Sequence, residues 1–266
     1  MSPPTLSQEL RQKNGGAADQ YAAQANVPQK LRVLDLFSGI GGFSLGLERT
    51  QGFETVAFCE IDPFCRRVLA KHWPNVRCFE DVTRLRGEDV GPVDVICGGF
   101  PCQDVSSMGQ RAGLAGERSG LWSHFARLIG EVRPRLVIVE NVAALLGLGF
   151  GDVLGDLASI GYDAEWHCIP AGYVGAPHER DRVWIIAYPK EEQRFHESYF
   201  GQAAQRLRDD CNFWRTNPWP EAASPVCRVD DGVPFRVERT EALGNAVVPQ
   251  IPELIGRAIL EARASA

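Results

Sequence analysis

A chain of 266 residues is long enough for one main core with a small accessory lobe and too short for two large domains. With 44% hydrophobic and 23% charged residues, and no apolar run near the roughly 18 residues that a membrane span needs, the composition is that of an ordinary soluble protein and excludes a membrane-spanning one. A formal charge of -6 excludes a protein that coats nucleic acid by charge alone, so any such contact has to be local.

Residues 1 to 29, rich in Gln, Ala, Ser and Gly, lack the basic start and apolar centre of a secretory signal and are read as a disordered leader on a cytoplasmic chain. From residue 31 short apolar runs alternate with amphipathic stretches: LRVLDLF, GFSLGLERT, ETVAFCEI, DPFCRRVLAKHW. This is a βαβα rhythm. Further strands are predicted at 93 to 99, 135 to 141, 163 to 170 and 182 to 188, with helices at 120 to 132, begun after Ser119 as cap, and at 151 to 160. Strands apolar on both faces and separated by helices predict an α/β fold with a doubly wound, mostly parallel sheet. The rhythm breaks at Pro189. Residues 190 to 235 carry charges, aromatics and prolines with little periodicity, and the last segment returns to a turn and an amphipathic helix that needs an apolar partner.

The eight cysteines, at 59, 65, 78, 97, 102, 168, 211 and 227, show neither paired CxxC spacing nor the density of a disulfide scaffold, which fits a reducing cytosol. Cys59, Cys78, Cys97 and Cys168 lie in strand-like runs, where a cysteine is usually a small buried hydrophobe; no metal site is expected.

The first chemical site is LDLFSGIGG, where a strand runs into glycines and then a helix. Gly39, Gly41 and Gly42 let the backbone turn tightly and approach a ligand, and the helix offers free N–H groups. The spacing is GxGG rather than the GxGxxG of a dinucleotide dehydrogenase, and a plain glycine turn reads the same. Glu60, ending the next strand, and Asp81, following the third, stand at successive strand ends, where an acid holds ribose hydroxyls or an adenine amine; each alone could equally be a solvated charge. The second site is ICGGFPCQDVSSMG, in which Pro101 stiffens the turn and Cys102 is presented at the carboxyl edge of the sheet. A thiolate suits attack on a soft ring carbon, and the Gly- and Ser-rich stretch after it reads as a loop that closes over substrate.

Together these blocks resemble the bacterial and phage DNA (cytosine-5) methyltransferases from residue 31 to about 188 and again from 238 to 260, through FSGIGG (37 to 42), Glu60, Asp81, GGFPCQ (98 to 103), RSGLW (118 to 122), ENV (140 to 142), HERDR (178 to 182) and GNAVVP (244 to 249). The resemblance implies S-adenosyl-L-methionine as cofactor, double-stranded DNA as partner, a monomer without metal, and a restriction-modification setting. Cys102 would add to carbon 6 of a flipped-out cytosine, because carbon 5 is too weakly nucleophilic until a thiolate has added to carbon 6, a position unreachable in stacked duplex. Glu140 would hold and protonate ring N3, and Arg182 with Arg180 would contact the cytosine carbonyl or neighbouring phosphates. The cofactor set it implies is Phe37 on the adenine, Glu60 on the ribose and Asp81 on the adenine amine, with Ser38, Gly39, Gly41, Gly42, Ile61, Val82, Pro101 and Ala246; Asn245 belongs to the same set and would brace the junction between two lobes.

The domains implied are 30 to 189 with 238 to 266 for catalysis and 190 to 237 for target recognition, with Arg206, Arg208, Arg215 and Arg228 as candidates for base or phosphate contacts. Two departures stand out. His178 replaces the glutamine of many relatives, and the Arg-Glu-rich block that usually precedes the last one is missing. The competing readings are an RNA-directed enzyme of the same fold, a catalytically silent DNA-binding relative, and a Rossmann dehydrogenase. The presence of Cys102, Glu140 and Arg182 speaks against the silent relative, and the dehydrogenase leaves them without roles.

Overall fold

Successive residues of a strand face opposite ways, so a strand apolar at every position needs a core on both sides. The computed structural model, which describes residues 29–101, 120–147, 149–176, 178–191, 199, 201 and 236–265, supplies two. In β1 (Leu31–Leu36) Leu34 and Leu36 enter one core while Leu31 and Val33 enter the other; in β5 (Leu136–Val142) Val137 and Val139 part from Leu136 and Ile138 in the same way.

The remaining strands are β2 (Phe53–Cys59), β3 (Arg77–Phe79), β4 (Val95–Gly98), β6 (Tyr162–Cys168) and β7 (Arg182–Pro189), in the order β3-β2-β1-β4-β5-β7-β6. The first five are parallel, and β7 runs antiparallel to both β5 and β6. The mostly parallel sheet expected from the sequence is therefore present with one reversed strand. Because β1 leads outward to β2 and β3 while β4 and β5 lie on its other side, the order switches between β1 and β4, and it is at the carboxyl ends beside such a switch that open α/β sheets bind ligands.

Helices cover both faces. On one side α4 (Leu121–Val132) buries Trp122, Phe125, Leu128 and Ile129, and α5 (Phe150–Ser159) buries Val153 and Leu157; a buried bond from Trp122 Nε1 to Asp156 Oδ2 (3.0 Å) ties the two. On the other, Phe43 and Leu47 of α1 (Gly42–Arg49) meet Ile251, Ile255 and Ile259 of α7 (Gln250–Ser265), the partner that the amphipathic C-terminal segment requires. The approach is close: a Cβ on Gly42 would lie 2.5 Å from the Val247 carbonyl oxygen, and one on Gly46 would collide with that of Pro249. Between these helices lie α2 (Pro63–His72), started by Asp62 accepting from the Cys65 N–H at 2.8 Å with proline in the first turn, the short α3 (Gly87–Val90), and α6 (Arg236–Asn245).

Two expectations shift. The N-cap of α4 is Gly120, which caps without a side chain, and Ser119 lies outside the described residues. α6 occupies a stretch in which only a turn was expected. Also outside the described residues are the leader 1 to 28, Cys102 with the loop to 119, and Arg206, Arg208, Arg215 and Arg228. Among the described residues no helix is long and apolar enough to cross a membrane.

Candidate functional site

The glycine turn leaves β1 through left-handed backbone, with φ of 53° at Phe37 and Gly39 and 87° at Gly41, the N-cap of α1. It is braced from beneath, where Ser38 Oγ donates to the Asp35 carbonyl at 2.6 Å, and from the next strand, where Glu60 Oε2 accepts the Gly39 N–H at 2.6 Å. Glu60 Oε1 accepts the Asp62 N–H at 2.8 Å. A carboxylate has about four acceptor positions, so both oxygens keep capacity for hydroxyl groups of a ligand.

Ile61 follows at 76% exposure, which is unusual for an isoleucine in a folded protein. It borders a cleft of about 600 Å³ that Phe79, Asp81 and Leu85 also line. Asp81 Oδ1 accepts the N–H (2.9 Å) and hydroxyl (2.7 Å) of Thr83, which hold the acid below its usual range, and Oδ2 pairs with Arg84 at 3.3 Å. Val82 points into the core, and the Phe37 ring is half-buried and stacks on Phe125 at 6.2 Å. Exposed apolar surface beside acidic acceptors and a glycine turn, with open space where a Cβ on Gly39 would stand, fits a nucleoside-bearing cofactor.

The second half of the site forms where β4, β5 and β7 meet. After β4 the chain passes through Gly99, where a Cβ would stand 2.8 Å from Glu140 Oε2, so a larger residue here would displace the Glu140 carboxyl. Asn141, buried, donates from Nδ2 to the Phe100 carbonyl at 2.9 Å and accepts the Val142 N–H on Oδ1 at 2.8 Å. Glu140 is 8% exposed and pairs through Oε1 with Arg182 Nε at 2.9 Å. Burial pushes the Glu140 carboxyl up, and Arg182 and Arg180 pull it part of the way back. A buried carboxyl so balanced can hold a proton and give it up.

Arg180, in left-handed backbone at φ 31°, donates to the Gly244 carbonyl at 2.6 Å, while its Nε is buried without an acceptor among the described residues. Burial lowers its pKa, with Arg182 adding to the effect. Asn245, beside the Gly244 carbonyl that Arg180 holds, is exposed, and Ala246 is half-buried. Pro101, exposed, is the last described residue before Cys102.

The structure brings together Gly39, Glu60 and Ile61 on one side, and Glu140, Arg180 and Arg182 on the other. It adds residues that the sequence did not single out. Asp35 is fully buried, accepts Ser44 Oγ at 2.7 Å across the glycine turn, and has its carboxyl raised to about 7, chiefly by burial. The signal available was a lone acid inside an apolar strand. Asn141 lay within the ENV block but was given no role of its own, and Arg127 had no signal in the sequence. Among the described residues no group of three His, Cys, Asp or Glu could hold a metal ion.

The profile of a family described as C-5 cytosine-specific DNA methylase matches residues 31–217. The chain is 37% identical over 165 residues to the type II methyltransferase M2.BsuMI of Bacillus subtilis, covering 59% of this chain and 42% of that protein. It is 35% identical over 221 residues to the type II methyltransferase M.CviJI of a Paramecium bursaria Chlorella virus, covering 82% of this chain and 56% of that one. The solved Entamoeba histolytica methyltransferase EhMeth shares the fold at a TM-score of 0.60, with 13% identity over 88% of this chain and 98% of that one. The chain thus spans about half the length of the two curated relatives.

Proposed function

The chain belongs to the C-5 cytosine-specific DNA methylase family, and we propose that it transfers a methyl group from S-adenosyl-L-methionine to carbon 5 of a cytosine flipped out of double-stranded DNA. The observation that carries this reading is the buried Glu140 carboxyl, paired with Arg182 at 2.9 Å on the strand beside the Phe100–Pro101 turn that leads into Cys102. The glycine turn from Gly39 to Gly42, Glu60, Ile61 and Asp81 would hold the cofactor, which when bound supplies a methyl group already activated on a sulfonium.

The protein's own residues do the rest. The Cys102 thiolate adds to carbon 6, and Glu140 delivers a proton to N3 as electrons move into the ring. Arg182 and Arg180 keep Glu140 ionisable and offer donors to the cytosine carbonyl. After carbon 5 has taken the methyl, a solvent base removes its proton, the electron pair expels the Cys102 thiolate, and N3 returns its proton to Glu140, which restores the neutral aromatic ring. Residues 30 to 189 and 238 to 266 form the catalytic domain in this reading, and 190 to 237 recognise the target.

The test is transfer of labelled methyl groups to duplex DNA and to tRNA, with the wild type and Cys102→Ser, alongside duplex carrying 5-fluorocytosine. Label in duplex, none with Cys102→Ser, and a covalent adduct on the fluorinated base are expected, because fluorine cannot leave as a proton does. Label confined to tRNA would make the enzyme RNA-directed, and undiminished transfer by Cys102→Ser would remove the nucleophile from the scheme.

A further inference from the structure

The wall of the cleft between Asp81 and Gly87 is held from outside by one helix. Arg127, in the middle of α4, donates through Nη2 to the carbonyls of Val82 (3.1 Å) and Leu85 (2.8 Å) and through Nη1 to Glu131 Oε1 (2.8 Å), one turn further on. Glu131 Oε2 accepts the Gly87 N–H at 2.7 Å, and Gly87 lies so close that a Cβ there would stand 2.9 Å from Glu131 Cβ. An i, i+4 pair on a surface helix usually contributes little. Here the pair grips three main-chain groups of one loop, and burial, which would raise Glu131, is outweighed by Arg127 and the Gly87 N–H, so that the acid stays charged.

The loop so held begins with Asp81 and carries Leu85, both of which line the cleft. Val82 and Leu85 anchor it to the core by their side chains, while their carbonyls, like every main-chain acceptor away from water, call for a donor. Arg127 is that donor.

We infer that Arg127 and Glu131 are a positioning pair that sets the wall of the cofactor cleft from α4, so that cofactor affinity depends on a helix that does not itself line the cleft. The inference rests on the cofactor assignment made above. Neither side chain touches a reacting atom, so the effect belongs in cofactor binding and not in the chemical step.

The experiment measures S-adenosyl-L-methionine binding by calorimetry, and cofactor KM and kcat on duplex DNA, for the wild type, Arg127→Ala, Arg127→Lys, Glu131→Ala and Glu60→Ala. Arg127→Ala is expected to weaken binding and raise KM about 10-fold, with kcat at saturating cofactor within about twofold of wild type. Arg127→Lys, which keeps a donor within reach of the carbonyls, is expected to recover at least half of that loss, and it preserves the test should the alanine variant fail to fold. The two alanine changes combined should cost less than the product of their separate effects. Wild-type affinity in Arg127→Ala and Arg127→Lys, with Glu60→Ala weakened, would overturn the positioning pair and leave the cofactor site standing. No binding by the wild type would overturn the cofactor assignment and the pair with it.

Discussion

Asn141 holds the Phe100 carbonyl at 2.9 Å across the gap between β5 and β4, and so joins the strand that carries Glu140 to the turn that leads into Cys102. Both polar ends of this buried amide are used, since Oδ1 accepts from Val142. Asn141→Asp keeps that acceptor and sets an oxygen against the Phe100 carbonyl. We expect kcat to fall about 100-fold, the scale of a reacting group displaced by about 1 Å, with cofactor affinity within about twofold of wild type. The thermal midpoint should report a loss of about 1 to 3 kcal/mol. Unchanged kcat would mean that the turn is held by other contacts.

Glu140 and Arg182 define a second test, in which the sign follows from the direction of the Glu140 shift. A carboxyl raised in the folded state favours folding most when protonated, and the advantage fades as pH rises through its folded pKa. Removing Arg182 takes away the main opposing charge and raises Glu140 further. Arg182→Ala should therefore be little less stable than wild type at pH 5 and less stable by roughly 2 to 4 kcal/mol at pH 8, since both side chains are mostly buried. Urea unfolding at the two pH values measures this; a deficit independent of pH would show that the pair does not control Glu140.

Asp35 makes the same argument without a cation. With its carboxyl raised from 3.8 to about 7 by burial, ionisation works against the folded state across that interval. The group contributes fully below pH 3.8, and the contribution is lost as pH climbs towards 7. Asp35→Asn removes the charge and keeps an oxygen for Ser44. Its stability relative to wild type should rise between pH 5 and pH 8 by roughly 2 to 3 kcal/mol, followed by thermal unfolding. Parallel curves for the two proteins would mean that Asp35 is already compensated by a donor.

The sequence revealed the strands because burial on both faces leaves an unbroken apolar run, and it pointed to the two glycine turns of the candidate site because an α/β sheet places its ligands at the carboxyl ends of its strands. It did not reveal that β7 is reversed: RVWIIAYP is as apolar as LVIVENV, and direction is set by the connection, here a turn and a 3-10 helix at Ala171–Val174 where a parallel crossover would need a long helix. α6 escaped notice because RVERTEALGN has no strong apolar stripe. Asp35 and Arg127 were illegible for another reason. A fully buried acid and a half-buried helical arginine look, in a string of letters, like any other charged residues, and only the contacts to Ser44 and to the carbonyls of Val82 and Leu85 reveal their roles.

The reversal of β7 sets where the chain leaves the sheet. Arg182 enters beside Glu140, and about 25 Å of strand later Pro189 emerges at the opposite rim, where the Lys190 N–H bonds the Gly161 carbonyl ahead of β6. The return is fastened at the other end, since Gly244 meets Arg180 two residues before β7 begins. The chain thus departs at the far rim, by Lys190, and is back at the near one by Gly244. Lengthening it just after Lys190 adds chain at the rim remote from the reaction. Lengthening it between Gly244 and Gln250 instead acts on the contact to Arg180, whose charge bears on Glu140.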